Sequence, residues 1–449
     1  MATDPRRPLL WDAILSRLMD SLTGGTFLAG LALLSGASNL QIGILAAMPF
    51  LAQVAQLPAV AILLRFKDRR RIVVATAGAA RVVWIVIGLL AIATNLDAQT
   101  LVLLVAVSSI LAVIATAAWN WWMRDLLQPA DLGAFFGQRL RGATIAALVA
   151  MLAAGAFVDA TRTPEAASIG LGILFVAGGL VGVGGVLALK ATPHPLPPPT
   201  PPAREAFRRM AASTRGTGLR LGVSLGMAGA AVSFALPFTA VYMLRSLGFS
   251  LLAATIMAAL SQLAYLAGLR GWAYISDQYG DRPLAMISLT VLAVTMSFWA
   301  AAGWGAGSSL FAAIAILHFL SGYALSGIEL STNNLMLRSA PADNAAAFLS
   351  MMSVLRAAAA GLGVLVAGVI WNELGAGVIW STTIAGVGPW TLRGFQVLCL
   401  LSIIPCMAGI AVLSRMREPT QPRLVEVARA VRREVPNMSS IGGMRTFIH

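Results

Sequence analysis

Twelve runs of about 20 apolar residues, beginning near Leu10, Leu40, Ile72, Leu101, Ala143, Ala167, Leu219, Leu251, Leu284, Ser309, Ala346 and Gly394, restrict this chain to very few architectures. A run of that length crosses a hydrocarbon core of roughly 30 Å as a helix. Other backbone forms would leave unpaired N–H and C=O groups in lipid. With 58% hydrophobic and only 11% charged residues among 449, the chain has more apolar surface than a soluble globule can bury. The expectation is an all-α membrane protein of twelve transmembrane helices. Arg6 and Arg7 precede the first run, but Asp12, Arg17 and Asp20 interrupt it, so it reads as an uncleaved first helix rather than a signal peptide.

The formal net charge of +14 would suggest nucleic acid in a soluble protein. Here the positions of the charges argue against that partner. Alternate loops share a side, and one set holds Arg65, Lys67, Arg69, Arg70, Arg71, Arg124, Lys190, Arg204, Arg215, Arg270, Arg282 and Arg338, while the opposite set offers Arg162, Arg245 and Arg393. The positive-inside rule then places the basic loops and both termini in the cytoplasm, in contact with anionic lipid. The preference for arginine and alanine fits a high-GC bacterial genome and hence a bacterial inner membrane. Cys399 and Cys406 are too few for a disulfide framework or a metal cluster, and no phosphate-binding G-x-x-x-x-G-K-[ST] loop occurs, so no cofactor, metal or nucleotide is expected.

The chain is internally duplicated. A Pro-rich, basic segment at 192–217 is too polar to cross a membrane and divides the runs six and six, giving bundles at 1–191 and 218–415 and a basic tail at 416–449. Gln53 and Gln56 are echoed by Gln262 and Tyr265. Asn120 and Arg124 are echoed by Asn334 and Arg338, and Pro129-Ala-Asp131 by Pro341-Ala-Asp343. The tail after Pro422 spaces Leu424, Val427, Val431 and Val435 among arginines, as an amphipathic surface helix would.

Between the eighth and ninth runs lies AYISDQYGDRP, Ala273 to Pro283, in which Asp277, Gly280 and Arg282 follow a D-x-x-G-x-R spacing. This loop resembles the cytoplasmic loop motif of the major facilitator superfamily, with Ala273 where that family usually has glycine. Parallel six-helix repeats with a site between them are that family's plan. The resemblance covers roughly Leu10 to Arg415 and implies a gating role for Asp277, Gly280 and Arg282. It also implies a cavity lined by the first, second, fourth and fifth helix of each half, with the third and sixth outside. The equivalent loop of the first half, Arg65 to Arg71, retains only Asp68 amid basic residues, and span five lacks the glycine-proline pair of many proton antiporters.

Charged residues inside the spans are expensive and mark function. In span ten His318, Gly322, Ser326, Glu329 and Asn333 recur at helical spacing on one face. Glu329, His318 and Asp20 are the proton-coupling candidates, against the plainer readings of an internal ion pair or a packed histidine. On span one, Asp12, Ser16, Asp20 and Thr23 share a face, with Arg17 placed to pair with Asp20. Candidate cavity residues are Arg17, Gln53, Gln56, Asn120, Gln262, Tyr265, Asn333 and Arg356. Arg81, deep in span three, calls for a carboxylate partner or an anion, and structural pairing is the expected role. Trp119, Trp121 and Trp122 read as an interfacial aromatic belt.

Together these features point to a monomeric secondary transporter of a small organic solute, anionic or zwitterionic, expected to be proton-driven, using alternating access. A drug or metabolite antiporter and a non-transporting membrane scaffold or sensor are the alternatives. An enzyme is disfavoured because no buried nucleophile has an evident base.

Overall fold

The computed structural model describes residues 6–66, 68–126, 132–161, 163–192, 203–212, 215–301, 307–341, 345–375, 377–384 and 388–416. Its helices, in order, are α1 (Arg6–Thr23), α2 (Gly25–Leu34), α3 (Asn39–Leu51), α4 (Gln56–Arg65), α5 (Arg69–Ile92), α6 (Ala98–Leu126), α7 (Leu132–Asp159) and α8 (Pro164–Lys190). They continue with α9 (Ala203–Ala212), α10 (Thr217–Ala235), α11 (Thr239–Val241), α12 (Leu251–Tyr279), α13 (Asp281–Ala301), α14 (Gly307–Ser339), α15 (Ala345–Leu374) and α16 (Gly394–Ser414). Among the described residues, eleven spans are long and apolar enough to cross a membrane. The expected first span is the exception. Its charges lower the hydropathy of α1, and Gly24, extended at φ −111° and ψ −171°, separates α1 from the ten-residue α2.

The all-α expectation also misses one element. Val378–Ile384 (β1) and Gly388–Arg393 (β2) pair antiparallel ahead of α16, with an irregular register between Val378 and Trp380. β-branched residues favour the pleated conformation, and Arg393 then leads into α16 with its backbone N–H donating to Gln396 Oε1 at 3.2 Å. This hairpin marks one end of the molecule. The loops carrying Arg69, Arg70, Arg282 and Arg338 mark the other, the basic end.

Outward faces are apolar. Leu103, Ile145, Val149, Ile316 and Ile404 are each at least 60% exposed, a surface that only lipid can solvate. Inward, glycine lets helices approach closely. A Cβ on Gly88 of α5 would stand 2.6 Å from Gly172 O of α8, and one on Gly172 would stand 2.7 Å from Gly88 O. Gly182 of α8 leaves the space that the side chains of Met19 and Arg81 occupy.

Proline shapes the second span. Pro58 has no N–H to offer Val54, and its ring crowds that carbonyl, so the intervening turn Ala52–Ala55 tightens to 3₁₀. Pro237 likewise interrupts the seventh span with a 3₁₀ turn at Leu236–Phe238 before a π turn at Tyr242–Ser246. At the hairpin end Asp97 begins α6 by accepting from the backbone N–H of Thr100 and of Gln99, each at 2.9 Å, and from Thr100 Oγ1 at 2.8 Å. The hydrogen bond from the Thr100 backbone, with that of its hydroxyl, holds the Asp97 carboxyl below the usual range.

The helices before and after α9 meet at the hairpin end. A Cβ on Gly43 of α3 would lie 2.8 Å from Gly368 Cα of α15, so only glycine permits this backbone crossing. Arg245 donates to Asn39 Oδ1 at 2.6 Å and to Ala37 O at 3.2 Å, and Asn39 Nδ2 donates to Trp371 O at 3.1 Å. A second crossing brings Gly155 of α7 against Thr255 of α12, with 3.2 Å from the built Cβ to the threonine.

Gly88→Ala should destabilise the protein by about 1–3 kcal/mol, because the added methyl meets backbone on both sides. Gly184→Ala, whose Cβ would stand 3.6 Å from Leu15, should change stability little. Thermal unfolding of both variants in detergent checks the ranking.

Candidate functional site

Four adjoining cavities lie among the helices. The first, about 520 Å³, is walled by α1, α5 and α6 with the α3–α4 span and includes Asp12, Ser16, Asp20, Gln53, Arg81 and Asn120. The second, about 570 Å³, is walled by Gln53, Gln56, Glu329, Asn333 and Arg356. The third, about 610 Å³ and more apolar, contains Trp84, Gln262, Trp299 and His318. The fourth, about 260 Å³, brings Arg17 and Asp20 beside Gln262. Pro49 borders the first three, which lie side by side around it and together make up the chamber. Asn120, Glu329 and Asn333, toward the basic end, are exposed, whereas Asn39 and Trp371 at the hairpin end are buried. The chamber is therefore reached from the basic end.

The polar stripe of α14 divides along its length. His318, Gly322 and Ser326 are buried, and Gly322 is in such close contact with Ser261 of α12 that a side chain would strike its carbonyl. Glu329 and Asn333, one and two turns further, face the chamber. Helical spacing predicts a shared face, but it cannot say where along that face the neighbouring helix departs.

Glu329 accepts a hydrogen bond from Tyr265 Oη at 2.6 Å, joining α14 to α12. Arg356 of α15 donates through Nη1 to Thr332 Oγ1 at 3.0 Å and to Asn333 Oδ1 at 3.4 Å. The acid and the base thus occupy one cavity without pairing with each other, each held by neutral groups. Gln56 Nε2 donates to Gln53 Oε1 at 2.5 Å across the 3₁₀ turn that Pro58 imposes, so these two amides bond to each other instead of bridging helices.

His318 borders the third cavity, packed edge-on against Trp299 with ring centroids 5.4 Å apart, and its Nε2 is buried without a hydrogen bond. Arg17 and Asp20 share the fourth cavity but form no ion pair among the described residues. Arg81 finds its carboxylate in Asp12, 3.4 Å from Nη2, and the same nitrogen donates to Ser16 Oγ at 2.6 Å. α5 also walls the first cavity with Val73, Ala77, Ala80, Arg81 and Trp84, which departs from the peripheral role implied for the third helix.

The tryptophans of α6 do not form a lipid-facing belt. Trp122 is 1% exposed in a core cluster, Trp119 borders the first cavity, and Trp121 lies under the Arg69 guanidinium at 5.0 Å. A cation–π contact of this kind explains how Arg69 can be only 2% exposed.

The loop at the basic end is built around a residue the motif does not include. α12 runs to Tyr279, Gly280 turns at φ +90°, and α13 opens with Asp281. Asp281 is 1% exposed, and its Oδ1 accepts from Ser276 Oγ at 2.5 Å and Asn334 Nδ2 at 2.9 Å. Arg338 Nε lies 3.1 Å from Oδ2, an ion pair without hydrogen-bond geometry. Asp277, by contrast, is exposed and makes no ion pair among the described residues. Arg282 donates to Leu413 O and Ser414 O, each at 2.6 Å, capping the end of α16. Arg70 similarly donates to Lys190 O at 3.4 Å and Thr192 O at 3.3 Å, at the end of α8. Each arginine is the second residue of its helix and each holds the negative end of another helix dipole. The Asn334 and Arg338 echo thus has a physical role in the second copy, as the clamp on Asp281. The usable signal for Asp281 was its place as an acid in the first turn of a helix just after Gly280. Pro129, Asp131, Lys67, Arg162, Asp343 and the tail after Pro422 lie outside the described residues.

No protein-family model matches the sequence, and no curated protein matches it. Solved structures do. The nucleoside transporter NupG superposes with a TM-score of 0.68 at 15% identity, over 92% of this chain and 100% of that one. A D-xylose-proton symporter gives 0.65 at 14% identity, over 90% and 96%. A POT family transporter in complex with 5-aminolevulinic acid gives 0.66 at 12% identity, over 91% and 94%. The chain therefore has a major-facilitator-type fold, with no subfamily assigned.

Asp281→Ala should cost about 1–3 kcal/mol, because the donors of Ser276 and Asn334 lose their acceptor in a buried site. Asp277→Ala should stay within about 0.5 kcal/mol of the parent. Equal melting shifts for the two in detergent would contradict this assignment of the loop's anchor.

Proposed function

We propose that the protein is a secondary transporter that moves a small organic solute by alternating access, driven by protons. In this reading the broken α1–α2 helix joins the eleven spans as a twelfth, the bundles are 1–191 and 218–415, the linker is 192–217, and the tail is 416–449. Unwound or broken helices at membrane depth occur where they line a cavity, and Gly24 interrupts the first span beside the chamber. Solved structures with this fold include transporters described for a nucleoside, for a sugar with a proton and for a metal, and one in complex with 5-aminolevulinic acid. Those descriptions belong to those proteins, and they support a transporter of a small solute here.

The observation that carries the proposal is the arrangement of Glu329, Tyr265 and Arg356. A carboxylate that accepts from Tyr265 on one helix and faces a chamber open at the basic end can take up a proton from that side. Protonation removes the charge that makes passage through a closed, desolvated state costly. Arg356, held by Thr332 and Asn333, then offers its remaining donors to an anionic group of the solute. Rocking of the bundles would open the Gly43–Gly368 crossing and bring the basic end together. By the positive-inside rule the basic end is cytoplasmic, so the described state is open to the cytoplasm in a bacterial inner membrane.

Glu329→Gln should abolish proton-driven accumulation in liposomes while solute exchange remains measurable. Unchanged proton-coupled flux in that variant would remove Glu329 from the coupling step. Orientation is testable on the native background, since Cys399 and Cys406 are both buried. A membrane-impermeant maleimide applied to intact cells should label Ser381→Cys in the hairpin and not Ser339→Cys at the basic end. The reverse pattern would invert the assigned topology.

A further inference from the structure

We propose that the third cavity receives the apolar body of the solute, and that the solute is an amphipathic monocarboxylate whose head group lies on Arg356. This rests on the transporter reading above and gives it a substrate class.

Charge is sorted within the chamber. The first cavity carries Asp12, Asp20 and Arg81, the second Glu329 and Arg356, and the fourth Arg17 and Asp20. The third, the largest at about 610 Å³, is bordered by no acidic, lysine or arginine side chain among the described residues. Its wall draws on both sides of α9, with Ala29, Phe50 and Trp84 before it and Leu236, Ala240 and Leu325 after, and all six keep accessible surface. Protein interiors seldom leave a void larger than a water molecule, and a space of this size is within the range that holds small ligands. Alanine at 29 and 240 keeps it open, since a bulkier side chain at either place would occupy it.

The polar groups of this wall are mostly engaged or enclosed. Thr239 Oγ1 donates to Leu236 O at 2.8 Å, and Ser321 Oγ accepts from Trp299 Nε1 at 3.4 Å. Thr26, Thr239, His318 and Ser321 are buried, which leaves Ser109, Ser261 and Gln262 as the polar side chains with accessible surface. A polyhydroxyl solute would exchange its hydration for too few partners, which is costly. An apolar body loses nothing there, and Phe50 and Trp84 suit an aromatic ring. The head group is placed by continuity. Pro49, Phe50 and Leu325 border both the third cavity and the second, so a solute with its body in the third has its other end beside Glu329 and Arg356. Once Glu329 has taken up the driving proton, Arg356 is the remaining charge on the second cavity among the described residues. Its Nη1 is held by Thr332 and Asn333, which aims the rest of the planar fork at a carboxylate.

The test is isothermal titration of the full-length protein in lipid nanodiscs at constant pH and ionic strength, with partitioning into empty nanodiscs subtracted. The probes are phenylacetate, phenylpropionate and phenylbutyrate, the alcohol and the amine that match phenylbutyrate, and glucose and uridine as polyhydroxyl solutes. Affinity should rise about fourfold per methylene along the acid series. The alcohol and the amine should bind about tenfold more weakly, or less tightly still, than the acid. Ala29→Phe and Ala240→Phe, which fill the cavity from α2 and from α11, should each flatten the series. Arg356→Gln should weaken all three acids by about tenfold while preserving the rise. The subsite is overturned if affinity does not rise along the series, if the alcohol or the amine binds as tightly as the acid, if glucose or uridine binds more tightly than phenylbutyrate, or if the rise persists in a folded cavity-filling variant. The two filling substitutions lie on different helices, and the series in the parent protein is decisive without either. Liposome flux separates this subsite from the transporter reading. A rising series without flux keeps the subsite and removes transport, whereas proton-driven flux of another solute without a rising series does the opposite.

Discussion

The contact on which the rest of the arrangement depends is the crossing of α3 and α15 at Gly43 and Gly368. Two backbones approach there to a distance that excludes any side chain, and Arg245, Asn39 and Trp371 complete the seal with directional hydrogen bonds. Packing rather than the hydrophobic effect drives helix association in lipid, so small residues decide where helices can meet. Because the crossing lies at the hairpin end, the helices diverge toward the basic end. That divergence is what wets Asn120, Glu329 and Asn333. The same helices crossing at mid-length would leave no chamber.

The charged groups inside the spans that have partners are supported in different ways. Arg81 uses a carboxylate and a hydroxyl, Glu329 a phenol and the chamber, Arg356 a hydroxyl and an amide, and Arg69 an indole face. Neutral partners dominate around the chamber. They hold Glu329 and Arg356 in place without neutralising them, so both stay available to a proton or a solute. At the basic end the opposite solution appears. Asp281 is paired, bonded and buried, and Arg70 and Arg282 fasten helix ends, which suits a mechanical anchor.

How far these sites could be read from the chain varies with the distance over which each interaction acts. The α14 stripe followed from spacing alone, because residues three and four apart share a face. Its division into a packed half and a wet half did not, since that depends on where Ser261 of α12 presses on Gly322. The duplication pointed to Asn334 and Arg338, but the acid they clamp lay four residues beyond the one the loop motif singled out. The tryptophans of α6 looked interfacial because they stand near a helix end, but Trp121 lies under the buried Arg69 of α5, Trp122 is in the core and Trp119 borders the first cavity.

The sequence by itself determined that the protein lives in a membrane, that its spans are helices and that its charges are biased to one end. Those properties are set by composition and local hydrogen bonding, which act over a single span. Only the tertiary structure decided which charges meet, which glycines are crossings and which polar residues reach the chamber. Asp12 and Arg81, or Asn39 and Arg245, are far apart in the chain, and their contact depends on the packing of several helices at once. No pattern within one helix encodes that, and for this reason the anchor at Asp281 and the uncharged third cavity became visible only in the folded molecule.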